Sequence, residues 1–176
     1  MPQPLQGELI RLRAREETDV DHFYRWINDW QVTKFLGARY VQSRKFESEW
    51  LASGDPGPQE ARFVVETLDD QKPIGWVGLH PGFPENRTAG LGIAIGEHEF
   101  LDGGYGTDTM RTVCRFGLEM MNLNRIELSV FDWNTRAIRV YEKVGFKHEG
   151  VARDAMWKAN RWHQLVHMGL LRGELR

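Results

Sequence analysis

Residues 93–107 read IAIGEHEFLDGGYGT, a strand-like run followed by a glycine-rich turn. From Gly106 onward the apolar residues recur at steps of three and four, which predicts a helix that ends near residues 122–124. A glycine turn at the start of a helix presents free backbone N–H groups and the positive end of the helix dipole. The turn therefore favours phosphate oxygens, although the same glycines are also compatible with a tight turn that binds nothing.

Two nucleotide-binding motifs compare poorly with this stretch. A Walker A loop ends in Gly-Lys-Ser or Gly-Lys-Thr, whereas Thr107 follows Gly106 directly. A dinucleotide-binding fingerprint requires glycine at the position of Thr109. Glu127 does follow the turn at about the distance expected for a ribose-binding acid. A dinucleotide-dependent oxidoreductase therefore remains an alternative.

The N-terminal half alternates strands with short helices. Residues 9–13 predict a strand, and Thr18 or Asp19 caps a helix with apolar positions at Val20, Phe23, Ile27 and Trp30. A second short helix is predicted from Ser43 to Leu51. Residues 63–67 and 74–79 predict a hairpin, residues 90–95 predict the next antiparallel strand, and the turn-rich stretches 53–58 and 81–86 predict surface loops.

In the C-terminal half, a strand at residues 126–130 precedes a helix from about Thr135 to Lys143. Gly145 suits the left-handed cap of that helix, and Phe146 begins another strand. Strand and helix alternate here, which implies a parallel pairing covered by helices, while the earlier strands are antiparallel. The fold class expected is α+β, with a mixed α/β sheet.

Length and composition limit the classes of protein. The 176 residues predict a single domain, 1–176, and a net charge of −2 argues against the basic field that nucleic-acid binding needs. No apolar run approaches the roughly 20 residues that span a bilayer, and residues 1–7 do not resemble a secretory signal. We therefore expect a cytoplasmic protein with no nucleic-acid or membrane partner. Cys114 is the single cysteine, which excludes an internal disulfide and a cysteine-rich zinc site, and we expect a buried thiol and no metal.

Four stretches, taken in order, resemble the GNAT superfamily of N-acetyltransferases, most closely its ribosomal-protein N-terminal acetyltransferases and spermidine acetyltransferases. They are residues 9–13, residues 93–107, Asn134-Thr135-Arg136-Ala137, and Tyr141-Glu142-Lys143-Val144-Gly145-Phe146. The resemblance implies a mostly antiparallel sheet of seven strands, splayed between strands 4 and 5 and flanked by about four helices. It also implies acetyl-CoA as cosubstrate.

The resemblance places the coenzyme along the fourth strand and the glycine turn. The pantetheine arm would pair with main-chain groups of Ile93, Ala94 and Ile95, because its two amides can mimic a β-strand. The residues implied at the pyrophosphate are Leu101, Asp102, Gly103, Gly104, Tyr105, Gly106 and Thr107. The family often has Gln or Arg where this chain has Leu101, so the backbone N–H groups are expected to provide most of the binding.

Two residues of the next helix are implied in the site. Asn134 is an N-cap candidate, and the resemblance implies that it also contacts the coenzyme. Tyr141 fits an apolar packing position beside Val140 and Val144, whereas the resemblance implies a general acid that protonates the departing coenzyme A thiolate.

The amine acceptor needs a proton acceptor, since an alkylamine with a pKa near about 10.4 is charged at pH 7. Glu97 and Glu99 are the nearest acidic candidates, directly or through a water, with a solvated charged loop as the alternative. Four tryptophans could line an acceptor groove, because aromatic faces attract cationic amines: Trp26, Trp30, Trp157 and Trp162.

The function expected is acetyl transfer from acetyl-CoA to a primary amine by direct attack in a ternary complex, the amine being a polyamine, a peptide N-terminus or a small molecule. A sensor that binds acetyl-CoA without turnover is a second alternative. A homodimer or higher homo-oligomer is compatible with the sequence.

Overall fold

The computed structural model describes residues 3–38, 40–53 and 57–176. Seven strands form one sheet in the order β1-β2-β3-β4-β5-β7-β6. In chain order they are β1 (Ile10–Arg13), β2 (Ala61–Thr67), β3 (Pro73–Pro81), β4 (Thr88–Ile95), β5 (Arg125–Phe131), β6 (Lys147–Lys158) and β7 (Arg161–Leu171). All neighbouring strands are antiparallel except β4 and β5. The predicted mixed, mostly antiparallel sheet of seven strands is confirmed.

The described residues include five α-helices, one more than the number expected. They are α1 (Val20–Asn28), α2 (Trp30–Thr33), α3 (Arg44–Leu51), α4 (Tyr105–Glu119) and α5 (Thr135–Val144). The prediction that one helix continues through Trp30 is wrong. Asp29 has extended backbone angles (φ −84°, ψ 116°), and its side chain accepts a hydrogen bond from the N–H of Gln31 at 2.8 Å, so it ends α1 and caps α2.

Other local predictions are confirmed. Ser43 caps α3, and Asn134 caps α5 by accepting from the N–H of Ala137 at 3.3 Å. Gly145 ends α5 in the left-handed region at φ 117°. The predicted loop at 53–58 includes residues 54–56, which lie outside the described residues. Among the helices of the described ranges, none has the length and hydropathy needed to cross a membrane.

The sheet separates two apolar clusters. On one face, α4 and α5 cover the larger cluster, in which Met110 and Val113 of α4 meet Ile126 and Met168, all four without exposed surface. On the other face, Phe23 and Trp26 of α1 pack on Val64 and Trp76. Full burial of a large apolar side chain contributes about 1.5–3 kcal/mol, so the two clusters hold the helices to the sheet. Cys114 lies in the larger cluster, as expected, and its burial raises the pKa of the thiol.

The parallel pair β4–β5 is short. Only three residue pairs join the two strands, from Thr88↔Arg125 to Gly90↔Glu127. Beyond that point β4 continues to Ile95 and β5 to Phe131 without pairing to each other. The sheet therefore forks between its fourth and fifth strands, as the resemblance implied.

Candidate active site

The fork opens into a cleft of about 920 Å³ on the face covered by α4 and α5. Residues 91–95 of β4 form one side of it and residues 128–130 of β5 the other. Ten of the residues implied by the resemblance line this cleft: Ile93, Ala94, Ile95, Leu101, Asp102, Gly104, Gly106, Thr107, Asn134 and Tyr141. The structure thus brings the β4 edge, the glycine turn and α5 together around one space.

The glycine turn has the geometry of an anion site. Gly104 precedes α4 with φ 90°, a left-handed conformation that suits glycine, and Asp102 also has a positive φ of 63°. After the glycine turn, the first backbone N–H that donates a hydrogen bond within the protein is that of Asp108, which bonds to the carbonyl of Gly104 at 3.0 Å. The amides of residues 104–107 have no acceptor among the described residues. They are available to phosphate oxygens at the positive end of α4.

Two residues of the turn serve its shape and do not line the cleft. The ring of Tyr105 packs edge-on against Phe100, with centroids 5.0 Å apart. A side chain at Gly103 would meet that ring at 3.0 Å. A side chain at Gly106, by contrast, would meet no protein atom within 4 Å beyond the adjacent backbone of its own helix, so this position leaves room for a ligand.

Tyr141 lines the cleft and lies in an otherwise apolar setting. The side chain lies in the larger cluster and is 9% exposed. Burial raises the pKa of Tyr141 to about 12, because the phenolate would lose its hydration. The hydroxyl makes no hydrogen bond with the described residues, so it is free to donate a proton to a bound group.

A row of cations on α5 was not anticipated from the sequence. Arg136, Arg139 and Lys143 all line the cleft, and their spacing of three and four residues places them on one helical face. The signal was present in that spacing. Arg136 also lies 3.7 Å from Asp102 and 5.8 Å from the Phe35 ring, across the cleft from α5. These side chains supply the positive charge that Leu101 does not.

The two glutamates proposed as bases are both paired with cations and do not line the cleft. Glu97 accepts hydrogen bonds from the Arg25 guanidinium and from the indole N–H of Trp26, the latter at 2.9 Å. Burial alone would raise the pKa of Glu97, but the hydrogen bonds from Arg25 and Trp26 lower it below its ordinary value. Glu99 is exposed and pairs with Lys72. Their role as base stays a prediction.

The turn after β4 also contributes His98, which does line the cleft. Its Nε2 lies 2.7 Å from Asp29 Oδ2. The chain after Asp29 forms the wall facing α5, through Gln31, Val32, Phe35, Leu36 and Gly37. The ammonium group of Lys158, on β6, donates to the carbonyls of Thr33 and Ala38 and so fixes this wall to the C-terminal hairpin.

The predicted aromatic groove is wrong for Trp26. A side chain at Gly96 would meet the Trp26 ring at 2.3 Å, so the glycine lets the ring pack under the turn, where Trp26 is 1% exposed. Trp30, Trp157 and Trp162 are exposed, but they are not among the residues that line the cleft. Trp157 and Trp162 pack against each other at the tip of the β6–β7 hairpin, with centroids 5.3 Å apart.

Comparison with known proteins agrees with this geometry. Residues 10–147 match a family model described as an acetyltransferase (GNAT) domain. The uncharacterized N-acetyltransferase p20 of Bacillus licheniformis is 25% identical over 175 residues, 98% of each chain. The putative ribosomal N-acetyltransferase YdaF of Bacillus subtilis is 33% identical over 107 residues, 61% of this chain and 58% of its own.

Solved structures share the fold. The spermidine N-acetyltransferase of Vibrio cholerae, in complex with CoA and spermine, superposes with a TM-score of 0.87 at 24% identity, covering 94% of this chain and 96% of its own. A GNAT-family acetyltransferase from Bacillus anthracis gives a TM-score of 0.83 at 21% identity, covering 95% and 97%. Because residues 10–147 match the acetyltransferase family model, the dinucleotide-dependent alternative is wrong. A forked sheet, a phosphate-compatible turn and a family match over most of the chain lead to one conclusion: the protein belongs to the GNAT family and is an N-acetyltransferase.

Proposed function

We propose that the protein transfers the acetyl group of acetyl-CoA to a primary amine by direct attack, with Tyr141 as general acid. The observation that carries the proposal is that Tyr141, whose buried phenol keeps its proton at neutral pH, lines the same cleft as the β4 edge and the glycine turn. A binding protein without turnover would need the turn and the strand edge but not a buried phenol that retains its proton.

The chain offers a donor group for each part of acetyl-CoA. The amides of residues 104–107 and the α5 cations match the phosphates. The unpaired edge of β4 matches the pantetheine amides, and Asn134 stands at the entrance to α5. Leu101 and Asp102 line the cleft where the phosphates would bind, while the packing of Tyr105 over Gly103 stabilises the conformation of the turn. The coenzyme supplies an activated acyl thioester.

In the reaction, β4 N–H groups would stabilise the charge that develops on the carbonyl oxygen. Tyr141 would give its proton to the departing sulfur, and it is protonated at neutral pH because its pKa is about 12. Glu97 and Glu99 are candidate bases, but the hydrogen bonds from Arg25 and Trp26 lower the pKa of Glu97, and Glu99 is paired with Lys72.

The acceptor belongs to the class of primary amines. The similarity to a putative ribosomal N-acetyltransferase favours a peptide N-terminus, and the similarity to a spermidine N-acetyltransferase crystallised with spermine favours a polyamine. A small-molecule amine is a third possibility within the same chemistry. A cytoplasmic location, independence of metal and assembly into a homodimer or higher homo-oligomer belong to the same proposal.

A screen of amines with acetyl-CoA tests the proposed function. Spermidine, N-terminal peptides and small amines are supplied in parallel, free coenzyme A is measured with a thiol reagent, and products are identified by mass spectrometry. We expect an acetylated amine to form together with an equal amount of coenzyme A. Tight binding of acetyl-CoA in calorimetry without acetylation of any amine would instead identify a sensor.

A further inference from the structure

A second cavity lies on the opposite face of the sheet, behind the fork. Its volume is about 440 Å³, and its lining includes His80, Gly90, Arg125, Glu127, Ser129 and His167. The neighbours of Glu127 and Ser129 along β5 point into the α4 side, so these two side chains point away from it. Leu91, Leu128 and Ser129 line both this cavity and the main cleft. The two spaces therefore share a boundary where β4 and β5 separate.

A hydrogen-bonded pair of side chains stands at this junction. Ser129 and His167 are directly opposite in the β5–β7 register, and Ser129 Oγ lies 2.9 Å from His167 Nδ1. A hydroxyl can accept one hydrogen bond while it donates another. Ser129 can therefore connect a group in either space to the imidazole.

The charges around the pair suit a cation. Glu127 and Glu149 line the cavity with a single guanidinium, that of Arg125, which bonds to both carboxylates. A side chain at Gly169 would meet Glu149 Oε1 at 2.4 Å, so glycine at this position of β7 leaves the space that the Arg125–Glu149 ion pair occupies. The lining therefore includes two carboxylates and one guanidinium. An alkylammonium is attracted to such a surface.

We infer that the acceptor amine reaches the thioester through this second cavity and gives its first proton to the Ser129–His167 pair. The inference rests on the proposed function. An N–H bond of the ammonium breaks as its proton passes to Ser129 Oγ, and the Ser129 proton passes to His167 Nδ1. The neutral nitrogen then forms the N–C bond, and the C–S bond breaks with its electron pair on sulfur. Sulfur takes the Tyr141 proton, the nitrogen gives up its second proton to restore Tyr141, and His167 returns the first proton to water.

Other bases near the fork fit this role less well. Glu97 forms an ion pair with Arg25, and Glu99 forms one with Lys72. His98 is bonded to Asp29 in the turn after β4, and Glu60 holds Nδ1 of His80 at 3.1 Å. His167 is hydrogen-bonded to Ser129, a residue that lines both spaces. Neither His98 nor His80 makes a hydrogen bond to such a residue.

Gly90→Val tests the route of entry. Gly90 lines the cavity just before the unpaired part of β4, and no protein atom lies within 4 Å of its Cβ position. Its φ angle is not positive, so the backbone does not require glycine. Valine would therefore occupy the cavity without strain. We expect the KM for the amine to rise at least tenfold while the calorimetric Kd of acetyl-CoA stays the same. Gly150→Val is the matched control, since Gly150 is a strand glycine with free Cβ space outside both cavities. An unchanged amine KM in Gly90→Val overturns the route.

His167→Gln tests the proton transfer. We expect turnover of an alkylamine to fall about 100-fold, as for loss of a general base, with amine binding in calorimetry unchanged. Hydroxylamine, which is neutral at pH 7 and needs no deprotonation, should react with the variant at close to the wild-type rate. His148→Gln is the control, because His148 is an exposed histidine of β6 outside both cavities. Equal losses with both acceptors, or a loss in His80→Gln but not in His167→Gln, overturn the assignment.

The two proposals fail in different ways. If the wild-type protein acetylates no amine, the proposed function fails. If the wild type acetylates an amine and Gly90→Val and His167→Gln do so equally well, only the second inference fails.

Discussion

At the scale of single residues, two buried side chains near the cleft have pKa values shifted in opposite directions. Tyr141 lies among apolar atoms, and its pKa rises to about 12. Glu97 is also buried, but Arg25 and Trp26 hold its charged form and lower its pKa. The phenol therefore keeps a proton to give, and the carboxylate is a poor group to receive one.

The Tyr141→Phe variant should lose turnover and keep the coenzyme. The phenylalanine ring fills the same space in the apolar cluster, so only the proton donor is lost. We expect kcat to fall about 100-fold, within the range for general acid catalysis, with the Kd of acetyl-CoA unchanged in calorimetry. If acyl transfer limits the rate and the variant keeps the wild-type kcat, the role of Tyr141 is packing alone.

Glu97→Gln should reduce stability in a pH-dependent way. A carboxyl group with a lowered folded-state pKa stabilises the protein above its ordinary value of 4.5 and loses that contribution as pH falls through the folded pKa. We expect the variant to lose about 1 kcal/mol at pH 7, seen as a Tm lower by roughly 2–4 °C, and to converge with the wild type on acidification.

Glu99→Gln is the control for this prediction, since its ion pair with Lys72 is exposed and should contribute little. Equal Tm values for wild type and Glu97→Gln at pH 7 would contradict the structural role. A 100-fold loss of turnover in Glu97→Gln, with the fold intact, would support its role as base.

At the scale of secondary-structure elements, the start of α4 contains two glycines that do different work. Gly104 needs its positive φ of 90°, so valine there would strain the backbone as well as obstruct a ligand. Gly106 has ordinary helical geometry and open space at its Cβ position. Gly106→Val should therefore weaken coenzyme A binding more than tenfold with little change in Tm, whereas Gly104→Val should lower both. Calorimetry and thermal denaturation of the two variants measure the difference, and unchanged affinity in Gly106→Val would remove the turn from the site.

The cationic face of α5 should act on the phosphates alone. Loss of a hydrogen bond to a charged group costs about 1.5–3 kcal/mol, so Arg139→Gln should raise the Kd of acetyl-CoA by about tenfold or more. The inhibition constant of S-acetylpantetheine, which has no phosphate, should not change. Arg153→Gln serves as control, because Arg153 lies on β6 outside both cavities. Equal weakening of both ligands would contradict a phosphate contact.

Elements with local determinants could be predicted from the sequence, and those set by distant contacts could not. The helix start at Ser43, the Asn134 cap and the Gly145 stop are properties of a few neighbouring residues. The break at Asp29 was missed because Trp30 continues the helical spacing from Val20, and periodicity alone does not show which Asp will cap a helix. The pairing of Glu97 with Arg25 joins residues 72 positions apart, which no local pattern records.

At the scale of the whole molecule, the sheet consists of two parts. Strands β1 to β4 form one, strands β5, β7 and β6 form the other, and three residue pairs connect them. The motif order around the fork was visible in the sequence, which is why ten of the residues that the resemblance implied lie around the cleft. The second cavity was not, because Gly90, Ser129 and His167 come from three strands and become neighbours only through the sheet order.

The short connection between β4 and β5 also has a consequence for hydrogen exchange. Past Gly90, alternate amides of β4 face the fork and have no partner strand, so they should exchange quickly with deuterium in the free protein. A pantetheine arm bound along this edge would protect them as an added strand does, while the β3-facing amides of the same strand would change little. The β3-facing amides of residues 91–95 thus serve as an internal reference for the fork-facing ones. If the fork-facing amides exchange equally slowly with and without acetyl-CoA, binding at this edge is contradicted.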